Sequence, residues 1–344
     1  MSGQRRQTPT IHDVARHAGV SSMTASRVVN DYPHVSAPVR ERVNAAIQTL
    51  GYRPNTQARA TRTGIAQIGL LYSNPNSSNL SNFLMGAFKE ASASGNQLLI
   101  EPTPAHPTPL AAVRKLVEAG VRAIVLPPPL CDDPEVFAYL ERERVPSVSF
   151  ATATPRPEKA AVFVDDYAGA RMMTRHLIDL GHVDIAFIRG DPKHSTARRR
   201  EEGFRETMAA AGLAVPDARV ADGDFTYRSG LDAARQLLAT GKRPSAIFAA
   251  NDDMAAAVSA VAHGLGLDVP SELSIGGFDD TPVASTVWPE LTTIRQPIAE
   301  MAATAVSMAA ALIRQDGEDE RRHVNAGLTL VPRASTAAPG AARS

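Results

Sequence analysis

In the first fifty residues, apolar positions recur at helical spacing in three short sets. Ile11, Val14, Ala15 and Ala18 make one stripe. Thr10 precedes it with Asp13 three residues on, the spacing of a capping box, and Gly19 follows as a left-handed stop. Val28 and Val29 belong to a second helix capped by Ser21, whose first turn is Ser22, Met23 and Thr24, with Arg27 one turn later. Val39, Val43, Ile47 and Leu50 belong to a third, opened by Ser36 and Pro38 and stopped by Gly51. Two helices joined by a tight glycine turn predict a helix-turn-helix whose second helix presents Ser22, Met23, Thr24 and Arg27.

From Ile65 the pattern changes. Short apolar runs at 68–72, 98–101, 123–126, 147–150, 162–164, 185–188, 246–249, 274–277 and 291–295 alternate with amphipathic stretches such as 80–93, 108–119, 167–180, 196–211 and 252–265. Strands apolar on both faces and separated by helices predict parallel α/β sheets. So many units exceed one doubly wound sheet of usual size, so two lobes are expected. The break is expected near Asp165 and a return crossing near Arg295. The fold class is therefore α/β: a two-lobed core of parallel sheets over 65–332, preceded by a small all-α domain over 1–62 that ends in a hinge at about 53–62. The Ala/Gly/Pro/Ser/Arg-rich tail, 333–344, is expected to be disordered, and it lacks the apolar heptads of a coiled coil.

Charge adds a function to the head. The 344-residue chain is neutral overall, but residues 1–63 carry nine arginines against three acidic residues, a net +6. A compact basic head on an acidic body is the footprint of a nucleic-acid reader, whose second helix enters the major groove. Arg27 suits a bidentate contact to guanine, while Ser22 and Thr24 suit either a base or a phosphate. A solvated basic tail or a purely structural bundle are the plainer alternatives. No apolar run approaches the roughly 18 residues of a membrane span, and no apolar stretch follows the polar start as in a secretory signal. The single cysteine, Cys131, fits a reducing compartment. A cytoplasmic, nucleoid-associated protein is expected.

Ligands of open α/β sheets bind outside the carboxyl ends of the strands. Here those ends carry Tyr72-Ser73-Asn74, Asp165-Asp166, Gly190-Asp191, Asp224-Phe225, Asn251-Asp252 and Phe278-Asp279-Asp280. Carboxylates, amides and aromatic rings around one crevice suit a polyhydroxy ligand. Asp165, Asp252 and Asp280 can instead cap the helices that follow them, which is the expectation for the first two. Phe83 and Trp288 can be crevice aromatics or packing, with packing expected for Trp288. There is no P-loop, no strand-anchored G-x-G-x-x-G and no nucleophile elbow. His176, His182 and His194 lack metal-site spacing, and adjacent aspartates on a strand point oppositely. No enzyme activity, cofactor or metal is expected.

The run from Ile11 to Asn30, Ile-His-Asp-Val-Ala-Arg-His-Ala-Gly-Val-Ser-Ser-Met-Thr-Ala-Ser-Arg-Val-Val-Asn, resembles the DNA-binding head of the LacI/GalR family, and Gly51-Tyr-Arg-Pro-Asn55 continues it. The resemblance covers nearly the whole chain. It implies a homodimeric regulator of operator DNA, a repressor controlled by a sugar or glycoside between two periplasmic-binding-protein-like lobes. A sugar-binding protein without a DNA-reading function is the alternative, but it should carry a signal peptide and no basic head. By resemblance, Ser22, Met23 and Arg27 fall at base-reading positions, and Ser21, Thr24, Asn30 and Asn55 at backbone-contacting ones. Ala58 and Arg59 match the family's hinge helix, but Thr61 replaces the leucine that usually wedges into the minor groove. The runs at 164–170, 177–182, 200–204, 250–252, 277–281 and 291–297 resemble further family segments. They imply effector contacts from Arg200, Asn251 and Asp279, with Phe225 stacking on the sugar and Ser73 reaching it from beside Tyr72. Where one member of the family places an effector-binding aspartate, this chain has Ala151, which implies a different ligand selectivity.

Overall fold

The computed structural model describes residues 9–29, 35–50, 66–239, 241–314 and 322–340. The chain divides into two compact units, Met1–Thr63 and Gly64–Ser344. In the first, α1 (Ile11–Ala18), α2 (Ser22–Val29) and α3 (Ala37–Leu50) follow the apolar spacing. Thr10 and Asp13 form the expected reciprocal capping box, and Gly19 turns the chain at φ 64°. Val14, Ala15, Ala18, Ala25, Val28, Val43 and Ala46 form the small core.

The second unit holds two parallel sheets. The first has the order β11-β5-β4-β3-β1-β2, from β1 (Gln67–Tyr72), β2 (Gln97–Pro102), β3 (Ala123–Leu126), β4 (Ser147–Phe150), β5 (Ala160–Phe163) and β11 (His323–Asn325). The second has the order β7-β6-β8-β9, from β6 (Ile185–Ile188), β7 (Val220–Ala221), β8 (Ala246–Ala249) and β9 (Ser274–Gly276). Strand periodicity explains why the runs are apolar throughout. In β1, Ile68 and Leu70 enter one core and Leu71 the other; in β3, Val125 and its neighbours Ile124 and Leu126 part likewise. The first of these faces is covered by α4 (Leu80–Ala93) and α12 (Ile298–Arg314), the second by α5 (Pro109–Glu118) and α6 (Pro134–Glu143). Helices α4 and α12 approach so closely at Gly86 that a Cβ there would lie 2.0 Å from the Ala299 carbonyl oxygen. Around the second sheet run α7 (Asp166–Asp179), α8 (Ser195–Ala210), α9 (Tyr227–Leu238), α10 (Asp252–Gly264) and the short α11 (Pro282–Thr286). Its core is built on Phe187 stacked against Phe204 at 4.9 Å and edge-on to Phe248 at 5.2 Å.

The chain crosses between the lobes near Asp165 and again just past Arg295, as the pattern predicts. A third crossing, from β11 to β12 (Thr329–Val331), returns to pair antiparallel with β10 (Thr293–Arg295). The expected disorder of the tail is not found over 333–340. Ser335 is fully buried: its Oγ donates to Ile275 O at 2.6 Å and accepts from Thr292 N at 2.8 Å, and its carbonyl accepts from Ile275 N at 2.8 Å. Arg333 adds an ion pair to Asp280 at 2.6 Å. Small residues there let the backbone lie against β9, so the biased composition serves pairing rather than disorder. Among the described residues, no helix is long and apolar enough to cross a membrane.

Candidate functional site

On the head, the first turn of α2 is fixed from two sides. Ser21 Oγ accepts from Thr24 N at 3.1 Å and bonds Thr24 Oγ1 at 2.8 Å, the expected cap. Ser22 Oγ is held by His12 Nδ1 at 2.9 Å, a tie to α1 that the sequence reading missed. Met23, 66% exposed, and the exposed Arg27 are left facing outward. Asn30, Asn55, Ala58, Arg59 and Thr61 lie outside the described residues.

In the second unit, a cavity of about 490 Å³ opens between the lobes at the carboxyl ends of the strands. Tyr72, Ser73, Phe83, Arg200, Phe225, Asn251 and Asp279 all line it, so the seven residues singled out from the sequence come together. Asn79, His194 and Gln296 line it too and were not foreseen. Its size is that of a small-molecule site.

The floor is a buried charge network. Arg200, 5% exposed, donates through Nε to Asp166 at 2.8 Å and through Nη1 to Ala250 O at 2.5 Å, with Asp279 at 3.4 Å. Its guanidinium lies 3.7 Å from the centre of the Phe278 ring. Asp279 also accepts from Gln296 Nε2 at 2.5 Å and from Asn79 Nδ2 at 2.7 Å. Burial pushes its carboxyl up to about 6, against the opposing pull of Arg200, Gln296 and Asn79. Burial likewise raises Asp166, with Arg200 opposing, and lowers His194. Phe225 is held at φ 67° with its ring over Gly190, where a Cβ would fall 2.1 Å from the ring edge. Phe83 is 6% exposed and packs on Phe150 at 4.8 Å, so it is both packing and cavity wall.

Asp165 caps α7 as expected, accepting from Ala168 N at 3.0 Å. Asp252 does not cap α10. Asn251 does, accepting from Met254 N at 3.0 Å while its Nδ2 donates to Phe225 O at 3.0 Å. Fully buried Asp252 instead gathers Thr281 N at 2.8 Å and Thr293 Oγ1 at 2.6 Å, tying the start of α11 to strand β10. Asp280 pairs with Arg295 and Arg333, each at 2.6 Å. Trp288 is not packed as expected: it is 81% exposed. Among the described residues, hydrogen bonds bridge the lobes from Ser78, whose Oγ and N donate to Asp253 at 2.5 and 3.4 Å, from Asn79 Nδ2 to Asp279, and from Ala153 N to Ser195 Oγ at 3.1 Å.

A helix-turn-helix with an outward-facing reading turn, in one chain with a two-lobed crevice domain, defines a DNA-binding transcriptional regulator with a ligand site. Residues 10–55 match the family model of bacterial regulatory proteins of the lacI family, and residues 174–336 that of a periplasmic binding protein-like domain. The chain is 34% identical over 332 residues to the HTH-type transcriptional regulator GalR of Escherichia coli (strain K12), covering 96% of each. It is 32% identical over 318 residues to the ribose operon repressor of the same strain, covering 91% of this chain and 96% of that one. Among solved structures, the transcriptional regulator CelR–cellobiose complex matches with a TM-score of 0.72 at 30% identity, covering 95% of this chain and 99% of that one. The lac repressor dimer bound to operator and the anti-inducer ONPF matches with a TM-score of 0.72 at 28% identity, covering 96% and 100%. The chain belongs to the LacI family, whose members are DNA-binding regulators and not enzymes. The alternative of a sugar-binding protein without a DNA-reading function is set aside by the match over residues 10–55.

Proposed function

We propose that this protein is a homodimeric repressor of carbohydrate-utilisation genes, acting at the nucleoid, whose grip on operator DNA is set by a sugar or glycoside held between its lobes. The observation that carries this reading is the interlobe cavity, lined at once by buried charge, amides and aromatic rings. Polar groups there select a ligand rich in hydroxyls, and Phe225 offers a face for a sugar ring. Arg200, Asn251, Asp279, Ser73, Tyr72 and Phe83 are the assigned effector residues. A thermal-shift screen of mono- and disaccharides on the full-length protein tests the reading. A ligand at a hundred times its Kd should add about 2.7 kcal/mol of stability; a flat response to every saccharide would set the reading aside.

On DNA, Ser22, Met23 and Arg27 face the bases and Ser21 and Thr24 the phosphates. Asn30, Asn55, Ala58, Arg59 and Thr61 complete the assigned contacts, the hinge residues in the minor groove. Arg27→Ala is expected to weaken operator binding by about 1–3 kcal/mol and to relax specificity at one base pair. Unchanged discrimination between operator and random duplex in a gel-shift titration would remove Arg27 from the reading role.

Dimerisation is supported by large apolar side chains left exposed on both lobes, Met85 at 67%, Phe88 at 48% and Trp288 at 81%. Trp288 is the one tryptophan in the chain, so its fluorescence reports the surroundings of that position alone. The emission is expected to shift blue as protomers associate, and Trp288→Asp to raise the dimer dissociation constant at least about tenfold. Sedimentation equilibrium showing an unchanged constant would place the interface elsewhere.

A further inference from the structure

The two serines that open α2 are differently engaged. Ser21 caps the helix, and its Oγ is occupied by Thr24 N and Thr24 Oγ1. Ser22, the next residue, is half-buried and takes no part in the cap. Its Oγ meets His12 Nδ1 at 2.9 Å, across the turn that joins the two helices. His12 is the second residue of α1 and is exposed, and its Nε2 has no partner among the described residues. The neighbouring carboxylate, Asp13, is spent elsewhere. It accepts from Thr10 N at 2.9 Å and Thr10 Oγ1 at 2.7 Å and pairs with Arg16 at 3.4 Å. The imidazole is therefore left to Ser22.

A serine hydroxyl has one hydrogen to donate and lone pairs that accept, so alone it can bond any base. A fixed partner inside the protein removes that freedom. In a neutral imidazole one nitrogen carries the hydrogen and the other accepts. Phosphate oxygens only accept, so beside DNA the unpartnered Nε2 keeps the hydrogen and Nδ1 is the acceptor. The Ser22 hydrogen then goes to Nδ1, and the Ser22 oxygen can only accept from DNA. The donors on the major-groove edges are the amino groups at adenine N6 and cytosine N4.

We infer that His12 is a positioning residue for base reading: it takes the Ser22 hydrogen, so that the Ser22 oxygen accepts from an adenine or cytosine amino group in the major groove. The inference rests on the assignment of Ser22 to a base-reading position. It turns a side chain that tolerates every base into one that selects a donor.

The test uses the full-length protein and an operator selected from a randomised duplex pool, followed by fluorescence anisotropy at fixed salt and mildly alkaline pH. Each base pair of one half-site is substituted in turn. The position at which Ser22→Ala flattens the preference is the one Ser22 reads. In the favoured pair there, purine then replaces adenine, or 2-pyrimidinone replaces cytosine, which deletes the amino group. The deletion is expected to weaken wild-type binding about 3- to 10-fold. In His12→Phe, in Ser22→Ala and in the double variant it should cost under about twofold. Position 12 is exposed and phenylalanine has a helix propensity close to that of histidine, so His12→Phe should fold. A deletion that costs wild type nothing, or costs His12→Phe as much as wild type, overturns the inference and leaves Ser22 a base reader. A further loss of base preference when His12→Phe is added to Ser22→Ala also overturns it, because His12 would then read DNA by itself. Ser22→Ala leaving every position unchanged overturns both the inference and the assignment of Ser22.

Discussion

Replacing Arg200 with alanine is expected to destabilise the two-lobed unit by about 3–5 kcal/mol at neutral pH, as measured by urea unfolding. The guanidinium is 5% exposed and holds Asp166, itself 2% exposed, at 2.8 Å. It also satisfies the Ala250 carbonyl at 2.5 Å and lies against the Phe278 ring. Without it, two buried carboxylates lose their shared cation and a carbonyl loses its donor. Arg200→Lys should recover little, because one ammonium cannot serve Asp166 and Ala250 O in the fixed geometry of a fork. A loss below about 1 kcal/mol would mean that the network is not what holds the second lobe at the crevice.

The second large effect is a change in how stability depends on pH. The Asp279 carboxyl is raised to about 6 by burial, above its ordinary value. A raised acid binds its proton more tightly folded than unfolded, so its contribution to stability is full at low pH and is lost as pH rises towards 6. From about pH 4 to 7 that loss is on the order of 3 kcal/mol. Burial-lowered His176, His182 and His194 act in the opposite sense, so the difference between wild type and Asp279→Asn isolates the effect. The variant keeps an oxygen for Gln296 and Arg200. Asn79, whose Oδ1 has no partner, can turn its amide to accept from the new nitrogen. The stability gap between the variant and wild type should change by about 2–3 kcal/mol across that pH range, with wild type gaining as pH falls. Parallel pH profiles for the two proteins would show that Asp279 is ionised throughout.

Much of this site was legible because chemistry and topology coincide. Ligand residues of a doubly wound sheet follow strand ends, and Ser73, Asn251 and Asp279 do so. What the chain order hid are contacts made only on folding. Asn79 opens a helix of the first lobe and gains its role from Asp279, 200 residues away. Asn251 and Asp252 are both good cap formers, and the threonines that claim Asp252 lie 29 and 41 residues distant. Strand β11, His-Val-Asn, carries one apolar residue and gives no periodic signal, so the third crossing was invisible. The tail was misjudged because small residues read alike in a disordered end and in a segment laid against a sheet.

Occupancy of the crevice is expected to change the affinity of the head for DNA. Thermodynamic linkage makes it reciprocal: operator must shift saccharide affinity by the same factor by which saccharide shifts operator affinity. The direct measurement is fluorescence anisotropy of the full-length protein at fixed salt, titrated onto the genomic duplex it selects, with and without a saccharide that stabilises it. The operator Kd is expected to change at least about fivefold with the saccharide, while random duplex is unaffected. A saccharide that fills the crevice and leaves the operator Kd unchanged would contradict it.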